Sequence, residues 1–305
     1  MTGFRQQLRV PVLAAVLLAG GAPGAAQQPP TVFRAAADAV SVDVSVQRGG
    51  RPVAGLEAAD FTILDNGVPQ AITGLAYERL PIDVTLLLDV SASVTGEVLE
   101  ELRRAVRQVR ADLRPGDRLL LLTFNMRPRL LVDFDRPAAE LDAALGSLAA
   151  GGSSAIFDSV AVALTTVEEP GRRRLIVLFS DGQDSSSSTD AATVLDVARR
   201  SGTTVAVVLA TALRDRPASL LRATPDTIGT FADRLAAETG GLVSAVPRGE
   251  NVSSRFRRML QEFRTSYVLY YTPAGVERGG VHTLDVGVKR EGVTVRARRS
   301  YVAGE

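Results

Sequence analysis

Four short runs of nearly unbroken aliphatic residues punctuate the middle of this 305-residue chain, at 82–88, 119–124, 175–179 and 205–209. A strand that is apolar on both faces must be covered on both faces, which is the situation of a strand inside a parallel sheet. Between the runs the spacing turns helical. Val98, Leu102, Ala105, Val106, Val109 and Leu113 recur at three- and four-residue steps with Glu and Arg opposite, and Pro115-Gly116 stops the stripe. Further helices are expected over 138–148, 156–167, 191–200, 228–238 and 252–263, and a further strand over 242–246. Residues 130–134 follow their predecessor after a short turn containing Pro128, so an antiparallel pair is expected there. Strands alternating with helices predict an α/β domain over 81–264, a doubly wound, mostly parallel sheet with helices on both faces.

Both flanks of that domain follow a different rule. Val40, Val42, Val44 and Val46 alternate with Ser41, Asp43 and Ser45, as in a half-buried strand. Phe61 and Ile63 alternate next, Asp65-Asn66-Gly67 is a hairpin turn, and a third strand is expected over 69–77. After residue 264 the alternation returns in Tyr267, Leu269 and Tyr271, then in Leu284, Val286 and Val288, with a last strand over 293–301. About three strands on each side are too few to close a core separately. Chain termini often lie close together in a domain. The expectation is therefore one discontinuous β-sandwich, built from 27–80 and 265–305, with the α/β domain inserted into it.

Residues 1–26 read as a signal peptide. Arg5 and Arg9 give the basic start, 10–18 is apolar, and Gly24 and Ala26 place cleavage after Ala26. The apolar run is well short of the ~20 residues that span a bilayer, so no membrane span is expected after cleavage. An exported protein, periplasmic or secreted, follows. Residues 27–31 form a short Pro/Gln tether. Removing Arg5 and Arg9 takes the formal net charge from +1 to −1. That balance argues against nucleic acid as a partner. The absence of cysteine excludes disulfides and thiolate metal sites, and the single histidine, His282, excludes a multi-histidine centre.

In open α/β sheets, ligands bind beyond the carboxyl ends of the strands. Asp89-Val90-Ser91-Ala92-Ser93 follows the first aliphatic strand, and Ser180-Asp181-Gly182-Gln183-Asp184 follows a later one. Between them Gly151-Gly152-Ser153-Ser154 opens a helix. All three segments offer oxygen donors and none offers nitrogen or sulfur. A carboxylate with hydroxyls two and four residues on can curl around one point. Ser154 adds a hydroxyl, and Asp181 a second carboxylate, directly or through water. Hard oxygen ligands with few charges suit Mg²⁺, with Mn²⁺ or Ca²⁺ as substitutes. Alone, Asp-x-Ser-x-Ser also fits a helix N-cap.

The three segments in this order resemble the von Willebrand factor type A (VWFA) domain and its metal-ion-dependent adhesion site, over about 81–263. The resemblance implies that Asp89, Ser91 and Ser93 coordinate the metal. Ser154-Ala155-Ile156-Phe157-Asp158 aligns with a family segment in which the ligand is usually Thr, and Asp181 matches the Asp of the family's Asp-Gly motif. The flanks look like those of exported bacterial VWFA-related proteins. What this kinship implies is a protein-binding module, not an enzyme, whose metal takes an exposed Asp or Glu of a protein partner.

Two other readings stand beside it. One is a metal-independent envelope scaffold that binds through the β-sandwich. The other is a Mg²⁺-dependent phosphatase of the haloacid dehalogenase type, which also places Asp after the first strand. Its usual second acid is replaced here by Ser91, and the chain's one lysine, Lys289, lies in the β region. Elsewhere, Arg172-Arg173-Arg174 is expected in a solvated loop away from the site. The serines 185–188 are expected at the site's rim, and the long loop 211–226 is a candidate specificity element. His282, near Gly279-Gly280, is expected at the surface.

Overall fold

The structure, a computed structural model, describes residues 39–134, 136–166, 169–181, 184–210, 228–246 and 251–304. The expected signal peptide and tether and the 211–226 loop lie outside the described residues. The chain begins with β1 (Val40–Arg48), β2 (Arg51–Pro52), β3 (Phe61–Asp65), β4 (Val68–Gln70) and β5 (Ile72–Tyr77). The α/β region follows as β6 (Ile82–Asp89), α1 (Glu97–Asp112), β7 (Arg118–Phe124), β8 (Pro128–Val132), α2 (Ala138–Gly146) and α3 (Ile156–Leu164). It continues through β9 (Arg173–Ser180), α4 (Ala191–Arg200), β10 (Thr204–Leu209), α5 (Ile228–Thr239), β11 (Val243–Ala245) and α6 (Val252–Arg264). Last come β12 (Tyr267–Tyr271), β13 (Gly280–Val288), β14 (Thr294–Ala297) and β15 (Ser300–Ala303).

The central sheet has the order β11-β10-β9-β6-β7-β8 and is parallel except for β8, which runs antiparallel to β7. Every residue of β6 and β9 is buried, as aliphatic runs covered on both faces require. One face packs Val84, Leu86 and Leu88 against α1 and α6 through Leu102, Val106, Phe256 and Met259. The other packs Leu87, Leu120 and Leu122 against Ile156 and Val160 of α3, Leu195 of α4 and Leu235 of α5. These two layers of helices leave the carboxyl ends of β6, β7 and β9 at one rim of the sheet. The α5–β11 turn approaches the sheet so closely that a Cβ on Gly241 would lie 1.8 Å from the Val205 carbonyl oxygen, so only glycine fits.

The flanking strands form the discontinuous sandwich. One sheet has the order β14-β1-β12-β5, with β2 also paired to β1, and the other β15-β13-β3-β4. Tyr267, Leu269 and Tyr271 share a core with Val42, Val44, Phe61, Ile63 and Leu284. Two expected strands prove to be two strands each. The 69–77 run divides at Ala71: β4 stays beside β3, and β5 crosses to the other sheet beside β12. The 293–301 run likewise divides at Arg298-Arg299 between β14 and β15. Such corners let one strand-like sequence serve both layers of a sandwich. The second corner is tied to the central domain. Arg298 donates to the carbonyls of Arg199 (2.8 Å) and Ser201 (3.1 Å) at the end of α4, and Arg299 N–H donates to Ala237 O.

Two local expectations are corrected. His282 is not at the surface; it is 1% exposed, and its Nδ1 lies 2.7 Å from Asp65 Oδ1. The parity of β13 explains this, because His282 falls on the same face as Leu284, while Val281 and Thr283 point outward. Arg173 and Arg174 are buried rather than solvated. Arg173 opens β9, where Nε donates to Asp43 Oδ1 on β1 at 2.8 Å, and its guanidinium stacks over Phe263 at 4.0 Å. An arginine next to an inward-facing strand start thus fastens the sandwich to the central sheet.

Candidate functional site

Asp89 is the last residue of β6, and its side chain is fully buried. Hydrogen bonds from Ser91, Ser154 and Ser180 hold its carboxylate. Ser91 N–H donates to Oδ1 at 2.9 Å, and Oδ2 accepts from Ser154 Oγ at 2.9 Å and Ser180 Oγ at 2.8 Å. Ser91 Oγ and Ser93 Oγ lie 3.2 Å apart. Asp89, Ser91, Ser93 and Ser154, all proposed from sequence, therefore meet at one point. Asp181 directly follows Ser180 and is partly exposed; it has no hydrogen bond or ion pair among the described residues. Gly182, part of its motif, lies outside the described residues.

The site's loops are fastened to one another by backbone hydrogen bonds. Val90 N–H donates to Phe124 O, Gly151 N–H to Val90 O, Ala92 N–H to Gly152 O, and Ala155 N–H to Asn125 O. Asn125 Nδ2 adds a bond to Gly151 O at 2.9 Å. Gly152 adopts φ +81°, and a Cβ there would press on Met126 Cγ at 3.3 Å. Both constraints select glycine in the turn that delivers Ser154. The serines after Asp184 do form a rim. Ser154 N–H donates to Ser185 Oγ at 3.1 Å, while the N–H groups of Ser185 and Ser186 donate to Ser154 O.

Sequence reasoning missed three contributors. Ser180 belongs to the Ser-Asp-Gly motif, but nothing in that motif marks it as a partner of Asp89. Asp184 is the true cap of α3: Oδ1 accepts from Ile156 N–H at 2.7 Å and Phe157 N–H at 3.3 Å. The available signal was its place three residues after Asp181, although its helix lies earlier in the chain. Asp158, near the start of α3, returns the contact by accepting from Ser188 and Thr189 N–H.

The electrostatics of the site are unusual for so buried a carboxylate. No cationic side chain pairs with Asp89 among the described residues. Burial pushes its carboxyl above the usual carboxylate range; the hydrogen bonds from Ser91, Ser180 and Ser154 oppose the rise without cancelling it. The described residues also contain no cluster of three His, Asp or Glu side chains, so the donors here are mostly neutral hydroxyls. In an octahedral Mg²⁺ shell at 2.0–2.1 Å, neighbouring ligand oxygens lie about 3 Å apart. The Ser154–Asp89 and Ser91–Ser93 oxygen pairs, at 2.9 and 3.2 Å, already have that spacing. The donor set therefore fits a hard divalent cation, which would also compensate the buried carboxylate.

A family model for the von Willebrand factor type A domain matches residues 83–234. No curated protein sequence matches the chain. Among solved structures, the chain is similar to a von Willebrand factor type A protein from Catenulispora acidiphila, at 14% identity and a TM-score of 0.50, over 88% of this chain and 76% of that one. An aerotolerance-related membrane protein from Bacteroides fragilis is similar at 18% identity and a TM-score of 0.46, over 60% of this chain and 98% of that one. The PilB minor pilin from Streptococcus sanguinis is similar at 13% identity and a TM-score of 0.46, over 64% and 63%. Likenesses at these identities concern the fold alone. Domains of the matched family are in general protein-interaction modules rather than enzymes. By the family match over 83–234 and by its doubly wound sheet, the central region of this chain is a von Willebrand factor type A domain.

Proposed function

We propose that the chain is an exported, metal-ion-dependent protein-binding module whose partner presents an exposed Asp or Glu. The observation that carries this reading is Asp89, a fully buried carboxylate with neutral hydroxyls around it and, among the described residues, no cationic partner. Asp89, Ser91, Ser93 and Ser154 would hold the ion, with Asp181 contributing directly or through water. Mg²⁺ suits this set, and Mn²⁺ or Ca²⁺ could replace it. Bound there, the ion would supply net positive charge and an open coordination position for the partner's carboxylate. The protein's part is to hold the donors in place: β6 fixes Asp89, the Gly151-Gly152 turn delivers Ser154, and the 184–189 rim secures that turn through α3. Export rests on the leader-like residues 1–26, with periplasmic and secreted locations both compatible. Among the described residues no helix is long and apolar enough to cross a membrane.

A thermal melt in EDTA, then in Mg²⁺ or Mn²⁺, tests the reading in the wild type and in Asp89→Ala. An ion at about 100 times its Kd stabilises the native state by ~2.7 kcal/mol. For a protein of this size, at about 2.1 cal/mol/K of unfolding entropy per residue, that is a rise of roughly 4–5 °C in Tm. The rise is expected in the wild type and absent in Asp89→Ala. A wild type that millimolar metal leaves unmoved, or a variant that rises equally, refutes the site.

A further inference from the structure

Beside the proposed metal position lies a feature that a single carboxylate would not need. The described loops at the carboxyl end of the central sheet are almost free of positive charge: residues 90–96, 149–155 and 184–190 contain no Lys or Arg. The exceptions are Arg127 and Arg129, at the β7–β8 turn. Both are exposed, and among the described residues neither side chain makes an ion pair or a hydrogen bond. Elsewhere in the same domain Arg118, Arg172 and Arg264 are each held by an aspartate. The turn that carries the two free guanidiniums is well anchored. Asn125 is tied to Gly151 and Ala155, Met126 packs on Gly152, and Arg129 sits opposite Thr123 in the β7–β8 ladder. An open cleft beside the turn is lined by Val90, Asn125, Arg127, Arg129, Ser147 and Leu148. Val90, the residue after Asp89, lines the cleft and accepts from Gly151 N–H, so the cleft and the metal position adjoin the same loops. Met126, next to it, is 59% exposed.

We infer that this cleft is a second subsite, which reads a second carboxylate of the same protein partner. The partner's contact segment is then an acidic peptide with two carboxylates, one for the metal position and one for the Arg127–Arg129 pair. Charge complementarity and geometry support this occupant. A guanidinium is a planar fork that matches a carboxylate, and a turn already fixed in place loses little entropy on binding. Met126 supplies apolar surface for the partner's stem between the two charges. The first of the two contacts rests on the metal-dependent reading above; the second does not.

Short labelled peptides of Gly, Ser and Ala, carrying one Asp or two at varied spacing, are titrated against the protein in millimolar Mg²⁺ by fluorescence anisotropy. The best two-Asp peptide should bind about tenfold more tightly than one-Asp peptides. The Arg127→Gln/Arg129→Gln variant should lose that advantage while keeping one-Asp binding and an unchanged Tm, since both side chains are exposed and unpartnered. The inference is overturned if the advantage survives in the variant, if no two-Asp peptide outperforms one-Asp peptides, or if single-stranded DNA binds as tightly as the best peptide. Asp89→Ala and EDTA separate the two readings. Arginine-dependent binding of two-Asp peptides that persists under both supports the subsite and refutes the metal site. Metal-dependent binding that ignores the arginines refutes the subsite alone.

Discussion

Replacing Asp65 by Ala should damage the sandwich more than any other single polar change in it. The carboxylate is fully buried at the end of β3, and three buried groups converge on it. Tyr271 OH donates at 2.9 Å, Tyr301 OH at 2.7 Å, and His282 Nδ1 lies at 2.7 Å. The three come from β12, β15 and β13, so the cluster joins both sheets and both ends of the chain. Alanine removes the acceptor that these three groups share. A buried polar group left unsatisfied costs about 1–3 kcal/mol. Tyr301 OH keeps a neighbour in His282 Nδ1 at 3.2 Å, which offsets part of the loss. The expected cost is therefore about 3–6 kcal/mol, against about 5–15 kcal/mol for a whole domain. Tyr301→Phe removes only one donor, leaves Asp65 with two, and should cost about 1 kcal/mol. Urea unfolding followed by circular dichroism measures both. If Asp65→Ala costs no more than Tyr301→Phe, the cluster does not act as a shared acceptor and the reasoning fails.

Two further outcomes follow from other residues. Burial works to raise the Asp83 carboxyl, but hydrogen bonds from Arg118 and Arg172 outweigh it and hold the group below its ordinary range. A depressed carboxyl contributes stability above its unfolded pKa of about 3.9 and loses it as pH falls through the folded value. Melts across acidic pH should show the wild type losing stability below about pH 4 more steeply than Asp83→Asn, and parallel curves would contradict this. Asp184→Ala should cost about 1 kcal/mol by uncapping α3. It should also reduce the metal-induced rise in Tm, because the rim that holds Ser154 loosens with it; an undiminished rise would show that the rim plays no part in the site.

The buried strands of the central sheet were legible because their signal is local: an aliphatic run does not depend on what covers it. Much of the site was legible for a related reason. Residues just after strands of one parallel sheet are carried to the same rim, so Asp89, Ser91 and Ser154 had to come close. What escaped depends on tertiary partners. At Ala71 and at Arg298-Arg299 the chain changes sheets because each half of the run finds a different neighbour. Arg173 looked like part of a solvated basic run until Asp43, 130 positions earlier, supplied its counter-charge. Asp184 caps a helix that precedes it in sequence, a relation that local capping patterns do not contain. His282 was misplaced for a simpler reason, since the Gly279-Gly280 turn was given more weight than the parity of the strand that follows.

The insertion has a consequence in time. Apart from the two-residue β2 at its end, β1 takes its neighbours from β12 and β14, and β5 pairs with β12. About 190 residues separate the end of β5 from the start of β12, so synthesis at ~5–20 residues per second keeps the early strands without those neighbours for ~10–40 s. Throughout that interval β1 presents unpaired amide and carbonyl groups on its edges, the kind of template on which chains aggregate. The central sheet takes all its strands from residues 82–245 and suffers no such delay. The order of the sequence thus makes the binding domain the early product of folding and the surrounding sandwich the late one, closed only when β12 to β15 arrive.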